Sequence, residues 1–370
     1  MKVQQALFIL LTASIFYSCD SGGDDTSEDN FDRQAMLVNW ADNIIIPAYQ
    51  DYEEKLETLN QEANSFANTP TANQLVVLRE SWMSAYKAWQ WVAMFEIGRA
   101  ETIGLQGYTN SYPVDVANML ANIESGNYNL ELPSRRDQQG FGGLDYLING
   151  LADSDTEIVA RYADSNTAEA HQTYLTDLTS RLLSLTSDVL DDWQNGYRET
   201  FVNNDGSSAT GAVNKLTNDY IFYFEKHLRA SKVGVPAGVF SGTPDATDVE
   251  AYYSTSFSKA LFKEALAASE AFFNGRHFGS GTLGSGFSDY LNYLNTIKEG
   301  PDLVEIINDQ FSVIASTSDQ LADSFSDQIK NDNTLMLNTY DELQTNVISF
   351  KIDMLQALNI KVDYVDADGD

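Results

Sequence analysis

Residues 138–150 read Gln-Gln-Gly-Phe-Gly-Gly-Leu-Asp-Tyr-Leu-Ile-Asn-Gly, a glycine cluster that leads directly into an apolar run. Gly140, Gly142 and Gly143 permit a close approach of the backbone to a neighbouring segment. The apolar residues that follow recur at steps of three and four, which predicts one buried face of a helix. Asp145 falls in the predicted first turn, where the helix dipole favours a carboxylate.

The same helical period continues on both sides of this stretch. Apolar stripes run through residues 37–56 and 75–93 before it, and through residues 249–273, 303–329 and 340–358 after it. Neither half shows the sustained alternation of a strand, so we predict an all-α protein of two helical bundles. The N-terminal bundle, with the motif segment, is predicted over residues 33–152, and the C-terminal bundle with an acidic tail over residues 153–370.

The first 32 residues predict export and attachment to a membrane. Residues 1–18 carry one charge and an apolar run shorter than the ~20 residues of a membrane-spanning helix, which is typical of a signal peptide. Cys19, the only cysteine, ends a segment that resembles a bacterial lipobox, so we expect it to carry lipid; a buried core thiol is the alternative. Residues 19–32 then form a flexible acidic tether. This predicts an outer-membrane lipoprotein facing the periplasm or the cell surface.

The charge of the chain argues against some classes of partner. The formal net charge is -32, from 54 acidic and 22 basic residues. Such a surface repels nucleic acid and anionic membranes and favours solubility. Asp366, Asp368 and Asp370 alternate as in the first half of a calcium loop, but a complete loop needs about twelve residues. We therefore expect a solvated acidic tail.

The glycine stretch resembles the signature of the imelysin family, a peptidase-like group of bacterial envelope proteins. The family motif is G-x-H-x-x-E, followed by an apolar run and a glycine. Gly140 matches the first glycine, whereas Gly142 stands at the histidine and Asp145 at the glutamate. Residues 110–113, Asn-Ser-Tyr-Pro, resemble the family's Asn-Ser-Trp-Pro segment. The resemblance covers about residues 35–370 and implies two related helical bundles.

The missing motif histidine argues against hydrolysis. A zinc peptidase needs about three protein ligands, commonly imidazoles with a carboxylate, and an open water position. His171, His227 and His277 are the only histidines, and none stands in the motif. We expect His171 and His277 at the surface, and His227 as a cation at a helix end.

A site built from oxygen ligands remains open. Asp145, with Glu96 or Asp115 from the neighbouring irregular segment, would suit iron or another hard cation. The alternative is that Asp145 only stabilises its own helix. The ligand pocket is predicted where the Gly140 segment meets the Asn110 segment, with Gly142 widening it. Its candidate residues are Glu96, Asn110, Ser111, Tyr112, Asp115, Gly140, Gly142 and Asp145.

A basic segment stands out in this acidic chain. Lys226, His227, Arg229 and Lys232 fall within seven residues, just before glycine and proline residues that should end a helix. Cations at the C-terminus of a helix interact favourably with its dipole, which is a purely local explanation. The alternative is a site for an anion or a partner protein.

These observations predict a non-catalytic, imelysin-like lipoprotein that binds a ligand. The resemblance implies a link to iron or haem acquisition. Two alternatives stay open: a residual metallopeptidase that uses Asp145 and a distant histidine, and a scaffold lipoprotein that docks an envelope partner through the segment 226–232.

Overall fold

The computed structural model describes residues 29–164, 166–298 and 302–364, without the side chains of residues 295–298. The predicted signal peptide, Cys19, residues 20–28 of the tether and the acidic tail from residue 365 lie outside the described residues.

The first half of the chain forms helices with two embedded π-helical segments and a third at the end of a long helix. The elements are α1 (Arg33–Asn39), π1 (Trp40–Ile45), α2 (Ile46–Asn68), α3 (Ala72–Val92), α4 (Arg99–Ile103), α5 (Leu105–Thr109), α6 (Val116–Ser125), a 3₁₀ helix (Pro133–Gln138), α7 (Gly140–Asp145), π2 (Tyr146–Gly150), α8 (Asp155–Ala163), α9 (Ala168–Asp192), π3 (Trp193–Tyr197) and α10 (Arg198–Val202).

The second half is helical as well. Its elements are α11 (Ala212–Phe222), π4 (Tyr223–Gly234), α12 (Ser258–Phe273), α13 (Phe287–Lys298), α14 (Leu303–Ser318), α15 (Phe325–Asp332), α16 (Thr334–Ile348), π5 (Ser349–Met354) and α17 (Leu355–Ala357). Within the described residues there is no β-strand, only an isolated bridge between Arg276 and Leu283. The all-α prediction is confirmed.

The helices pack in two groups. Helix α2 lies against α3 and α9, whereas α16 lies against α14 and π4, and α12 contacts both α3 and α14. Helix α9, which belongs to the predicted C-terminal bundle, packs along α2 of the predicted N-terminal bundle. From Phe31 onward the described residues form one compact unit, because such contacts cross the predicted boundary at residue 153.

Most of the predicted stripes are buried helix faces, but residues 249–257 form turns before α12, and the stripe through residues 303–329 is divided between α14 and α15. In α3 the buried positions include Leu75, Leu78, Trp82, Ala85 and Trp89, at the three- and four-residue steps read from the sequence. This spacing places the large rings on one side, where they pack against the other long helices. None of the helices within the described residues is both long and apolar enough to cross a membrane.

A π-helical turn precedes Pro47 at the start of α2. Segment π1 ends just before Pro47, which stands in the first turn of α2. Proline has no N–H and cannot bond the carbonyl one turn before it, that of Asn43. The Asn43 carbonyl instead accepts the backbone N–H of Phe278 at 2.8 Å. The break in helical bonding therefore anchors a distant loop.

Candidate functional site

The motif glycines press against the Asn110 segment. Gly140 has φ +69°, and a Cβ there would lie 2.2 Å from the Thr109 carbonyl oxygen. A Cβ on Gly142 would lie 2.9 Å from the Ser111 carbonyl oxygen. Side chains at either position would displace backbone, so the structure brings the two predicted segments together. Position 142 is thus packed against backbone on one side and lines a cavity on the other.

Asp145 lies at the end of α7, and not in the first turn of a helix as predicted. Its carboxylate is 1% exposed, accepts the backbone N–H of Tyr253 at 2.8 Å and accepts the Asn149 side-chain amide at 3.0 Å. Burial raises the pKa of Asp145 to about 7, while the bonds from Tyr253 and Asn149 act in the opposite direction. The carboxylate therefore holds the loop that contains Tyr253, instead of capping its own helix.

The proposed oxygen partners of Asp145 have other roles. Asp115 is the N-cap of α6, where its side chain accepts from the Asn118 N–H. Glu96 accepts the backbone N–H of Gln106 at 3.3 Å, and burial raises the pKa of Glu96 to about 7. Over the part of the chain that the structure describes, no three His, Cys, Asp or Glu side chains are grouped so as to hold a metal ion. The structure therefore does not bring Asp145 together with Glu96 or Asp115 as the ligands of one metal ion.

Two cavities flank the Asn110 segment. The first, the motif cavity, measures about 430 Å³ and borders the glycine motif. It is lined by Tyr112, Pro113, Val114, Gly142, Asp145, Thr247, Val249, Ala251, Tyr252 and Tyr253. The second, the inner cavity, measures about 210 Å³. It is lined by Trp89, Gln90, Ala93, Gln106, Gly107, Asn110, Ser111, Tyr112, Tyr223, His227, Ser231 and Lys232. Tyr112 contributes to both.

The inner cavity joins two sets of residues that are separate in the sequence. Asn110, Ser111 and Tyr112 come from the family-like segment, and His227 and Lys232 come from the basic segment. They meet because π4 packs near the C-terminal end of α5. This is a long-range contact, which no local sequence pattern predicts.

Buried polar atoms without partners surround the inner cavity. The indole nitrogen of Trp89, the side-chain carbonyls of Gln90 and Gln106 and the hydroxyl of Tyr223 have no hydrogen-bond partner within the described residues. Burying such a group unpaired costs about 1–3 kcal/mol, and proteins pair nearly all of them. Two donors and two acceptors around one cavity indicate that it receives water or a polar ligand.

A buried chain of hydrogen bonds forms one wall of this cavity. The Tyr86 hydroxyl donates to Asn110 Oδ1 at 2.5 Å, and Asn110 Nδ2 donates to Glu250 Oε1 at 2.8 Å. Lys232 Nζ lies 2.5 Å from Glu250 Oε2, with both side chains at most 3% exposed. Burial lowers the pKa of Lys232, and Glu250 opposes that shift. The sequence did not single out Glu250, because one glutamate among 54 acidic residues carries no local signal.

His227 borders the cavity as a neutral ring. Its Nδ1 lies 3.4 Å from Gln106 Nε2, so it accepts from that amide and leaves Nε2 protonated as a donor. Burial and the nearby Lys232 lower the pKa of His227 to about 4. The prediction of a helix-end cation is therefore wrong, because the ring is withdrawn from water beside a positive charge.

The remaining cations of the basic segment are compensated inside the protein. Glu225 is fully buried and lies 2.7 Å from Lys226 Nζ, 3.0 Å from Lys351 Nζ and 3.5 Å from the Arg229 guanidinium. Arg229 is 2% exposed and also bonds Tyr340 and Gln344. This segment supplies internal counter-charges rather than an exposed basic surface.

The other two histidines differ from each other. His171 is 5% exposed in α9, with Nδ1 2.8 Å from the Thr167 carbonyl and its ring against Tyr162. The prediction of a surface position is wrong for His171, because it occupies the buried face of its helix. His277 lies partly buried in the loop after α12.

Comparison with known proteins agrees with this fold. The sequence profile named Imelysin matches residues 45–347. The iron-regulated protein A of Synechococcus elongatus is 26% identical over 87 residues, which are 22% of this chain and 24% of that relative, so the match spans about a quarter of the relative's length.

Two solved structures resemble most of the chain. One, from Parabacteroides distasonis, is provisionally named an iron-regulated protein A precursor; it has a TM-score of 0.71 at 17% identity and covers 89% of this chain and 96% of its own. The other is an imelysin-like protein from Psychrobacter arcticum, with a TM-score of 0.67 at 17% identity, covering 90% and 97%. At this identity the likeness shows a shared fold.

Proposed function

The chain belongs to the imelysin family, and we propose that it is a non-catalytic binding lipoprotein of the bacterial envelope whose ligand is linked to iron acquisition. The iron link is supported by the names of the Synechococcus and Parabacteroides proteins. Binding in place of hydrolysis is supported by Gly142, which leaves the motif without an imidazole. Cys19 and the tether support an anchored protein.

The inner cavity carries this proposal. Trp89, Tyr223 and the Nε2 of His227 offer N–H or O–H donors, and Lys232 has two donor positions beyond its bond to Glu250. Gln90 and Gln106 offer unpaired carbonyls. A ligand rich in oxygen and negatively charged would pair with most of these groups.

The size of the cavity limits the ligand. Pockets that enclose drug-sized molecules measure about 300–1,000 Å³, whereas the inner cavity measures about 210 Å³. This favours a small organic acid or its iron complex over haem. We therefore propose a small iron chelate of the hydroxycarboxylate type as the ligand.

Calorimetric titration of the purified protein with ferric citrate, citrate and haemin tests this. We expect saturable binding of ferric citrate that is tighter than that of citrate, and no competition by haemin. Equal binding of citrate and ferric citrate would contradict the iron link, and tight haemin binding would contradict the size argument.

Tyrosine variants connect the binding to the cavity. Tyr223→Phe removes a hydroxyl that has no hydrogen-bond partner among the residues that the structure describes, so the fold should persist while ferric citrate binds about tenfold more weakly. Tyr52→Phe is the control, because Tyr52 is also a fully buried tyrosine, with its hydroxyl beside Thr186, but does not line the cavity. Equal affinities of the two variants would place the ligand elsewhere.

A further inference from the structure

A third pocket, of about 560 Å³, lies where the loop after α12 meets α2 and α3. We call it the loop pocket. Lys55 of α2 and Lys87 and Trp91 of α3 line one side, and Arg276, His277 and Phe278 of the loop line the other. Asp51 is the only acidic side chain among its lining residues. Its lining therefore carries more cations than carboxylates, in a chain with 54 acidic and 22 basic residues.

The cations of the loop pocket are poorly paired compared with those elsewhere. Several basic side chains of this protein lie within 2.8 Å of a carboxylate oxygen, as in the pairs Arg79–Asp155, Arg99–Asp188, Arg198–Asp42 and Lys263–Asp319. In the loop pocket the pairs are longer: Lys55 lies 3.5 Å from Asp51 and 3.7 Å from Glu54, and Lys87 lies 4.0 Å from Glu264.

Arg276 is the least paired cation of the loop pocket. Its guanidinium is exposed and makes no ion pair or hydrogen bond with any residue that the structure describes. An acidic protein could neutralise such a cluster with its own carboxylates, as it does around Glu225. Positive charge left open in a concave site attracts anions from solution.

The apolar part of the loop pocket is aromatic. Trp91 and Phe278 meet edge to face with ring centroids 5.5 Å apart. The Trp91 indole donates to Glu264 at 3.1 Å, which fixes the plane of the ring. Together with the cations, this pair suits a planar ring that carries a negative group.

The loop is held in place from both ends. Asn39 Nδ2 donates to the carbonyls of Gly275 and Ser285, at 3.1 and 2.9 Å. The Phe278 N–H donates to the Asn43 carbonyl at 2.8 Å. These bonds preform the pocket, so a ligand would not have to order the loop.

From this arrangement we infer that the loop pocket is a second binding site, specific for a small aromatic carboxylate. The carboxylate pairs with Arg276 and Lys87, and the ring packs on Trp91 and Phe278. The site is separate from the inner cavity and does not depend on the proposed iron-linked function.

Titration with three probes tests the site. We expect 2-naphthoate to bind with a dissociation constant at least tenfold lower than that of 2-naphthalenemethanol, which has the ring without the charge, or of inorganic phosphate, which has charge without the ring. Raising the salt concentration from 50 to 500 mM should weaken naphthoate binding. Equal binding of the neutral and the charged naphthalene would overturn the proposal, as would tight phosphate binding.

Charge variants locate the site. Arg276→Gln and Lys87→Gln change exposed side chains and should each weaken naphthoate binding about fivefold or more. Arg99→Gln is the matched control, since Arg99 is exposed, pairs with Asp188 and does not line the pocket. Wild-type affinity in Arg276→Gln, or an equal loss in Arg99→Gln, would show that the pocket is not the binding site.

Discussion

Asp145 Oδ2 accepts the backbone N–H of Tyr253 at 2.8 Å and so connects the glycine motif to a loop 108 residues later in the chain. The bond gives a structural reason for a buried carboxylate at the family's glutamate position, independent of any metal. Asp145 acts here as an anchor for the wall of the motif cavity.

This burial predicts a pH dependence. The pKa of Asp145 is raised from 3.8 to about 7 in the fold, so between these values the folded state binds more protons than the unfolded state. The contribution of this group to stability is therefore greatest below about pH 4 and falls as the pH rises to about 7, by at most about 1.4 kcal/mol per pH unit.

Asp145→Asn removes this titration. Its amide can still accept from Tyr253 and can donate to Asn149, so the fold should persist. Urea unfolding between pH 4 and 8 should show a flatter profile for the variant than for the wild type. Parallel profiles would contradict the raised pKa of Asp145.

Gly140→Ala should destabilise the protein by more than about 3 kcal/mol. The substitution combines φ +69° with a Cβ 2.2 Å from the Thr109 carbonyl oxygen. Thermal unfolding measures the effect. Gly206→Ala is the control, because a Cβ there meets nothing within 4 Å and should change stability by less than about 0.5 kcal/mol. Similar losses in both variants would contradict a specific contact at Gly140.

Lys232→Met should cost about 3–5 kcal/mol, because it leaves the Glu250 carboxylate buried without its counter-charge. The double variant Lys232→Met, Glu250→Gln should recover much of that loss, since the introduced amide oxygen can still accept from Asn110. Denaturant unfolding of the single and double variants provides the comparison. Additive losses would show that the two side chains are not coupled.

Gly142→His restores the family's motif residue but should not produce a peptidase. The new Cβ would lie 2.9 Å from the Ser111 carbonyl oxygen, and overpacking of this kind costs about 1–3 kcal/mol. We expect no zinc-dependent cleavage of casein by the wild type or by the variant. Gly142→Ala is the control, because it adds the crowded Cβ without the imidazole and so shows how much of any loss of stability comes from crowding alone. Zinc-dependent cleavage by the wild type would revive the metallopeptidase alternative.

Cys19→Ser tests the membrane anchor. We expect the wild type in the membrane fraction with an acylated Cys19, detectable by mass spectrometry, and the variant in the soluble fraction, because acyl chains supply ~0.8 kcal/mol of membrane affinity per buried CH₂. An unmodified Cys19 in the mature chain would contradict the prediction of a lipoprotein.

The helical fold followed from the sequence because its signals are local. The spacing of Leu75, Leu78, Trp82, Ala85 and Trp89 determines one face of α3 without reference to any other helix. The approach of the glycine motif to the Asn110 segment was also expected, from the two family-like motifs.

The inner cavity could not be predicted in the same way. Its wall depends on Glu250 and Lys232, whose pairing results from the long-range packing of π4. The burial of His171 was missed for a related reason: Glu169, Gln172 and Thr173 around it are polar, but the tertiary packing covers it. Which of the many carboxylates pairs with a given lysine depends on tertiary packing and leaves no periodic pattern in the sequence.

Pro47 cannot donate a helical hydrogen bond to the Asn43 carbonyl oxygen. That oxygen instead accepts the backbone N–H of Phe278 and so holds the loop after α12. An alanine at this position would introduce a competing donor for the same acceptor. The helix would then become more regular while the loop kept only its bonds to Asn39, so a gain in local order would weaken the preorganisation of the loop pocket. The irregularity at the start of α2 thus helps to fix the shape of the pocket that α2 shares with the loop after α12.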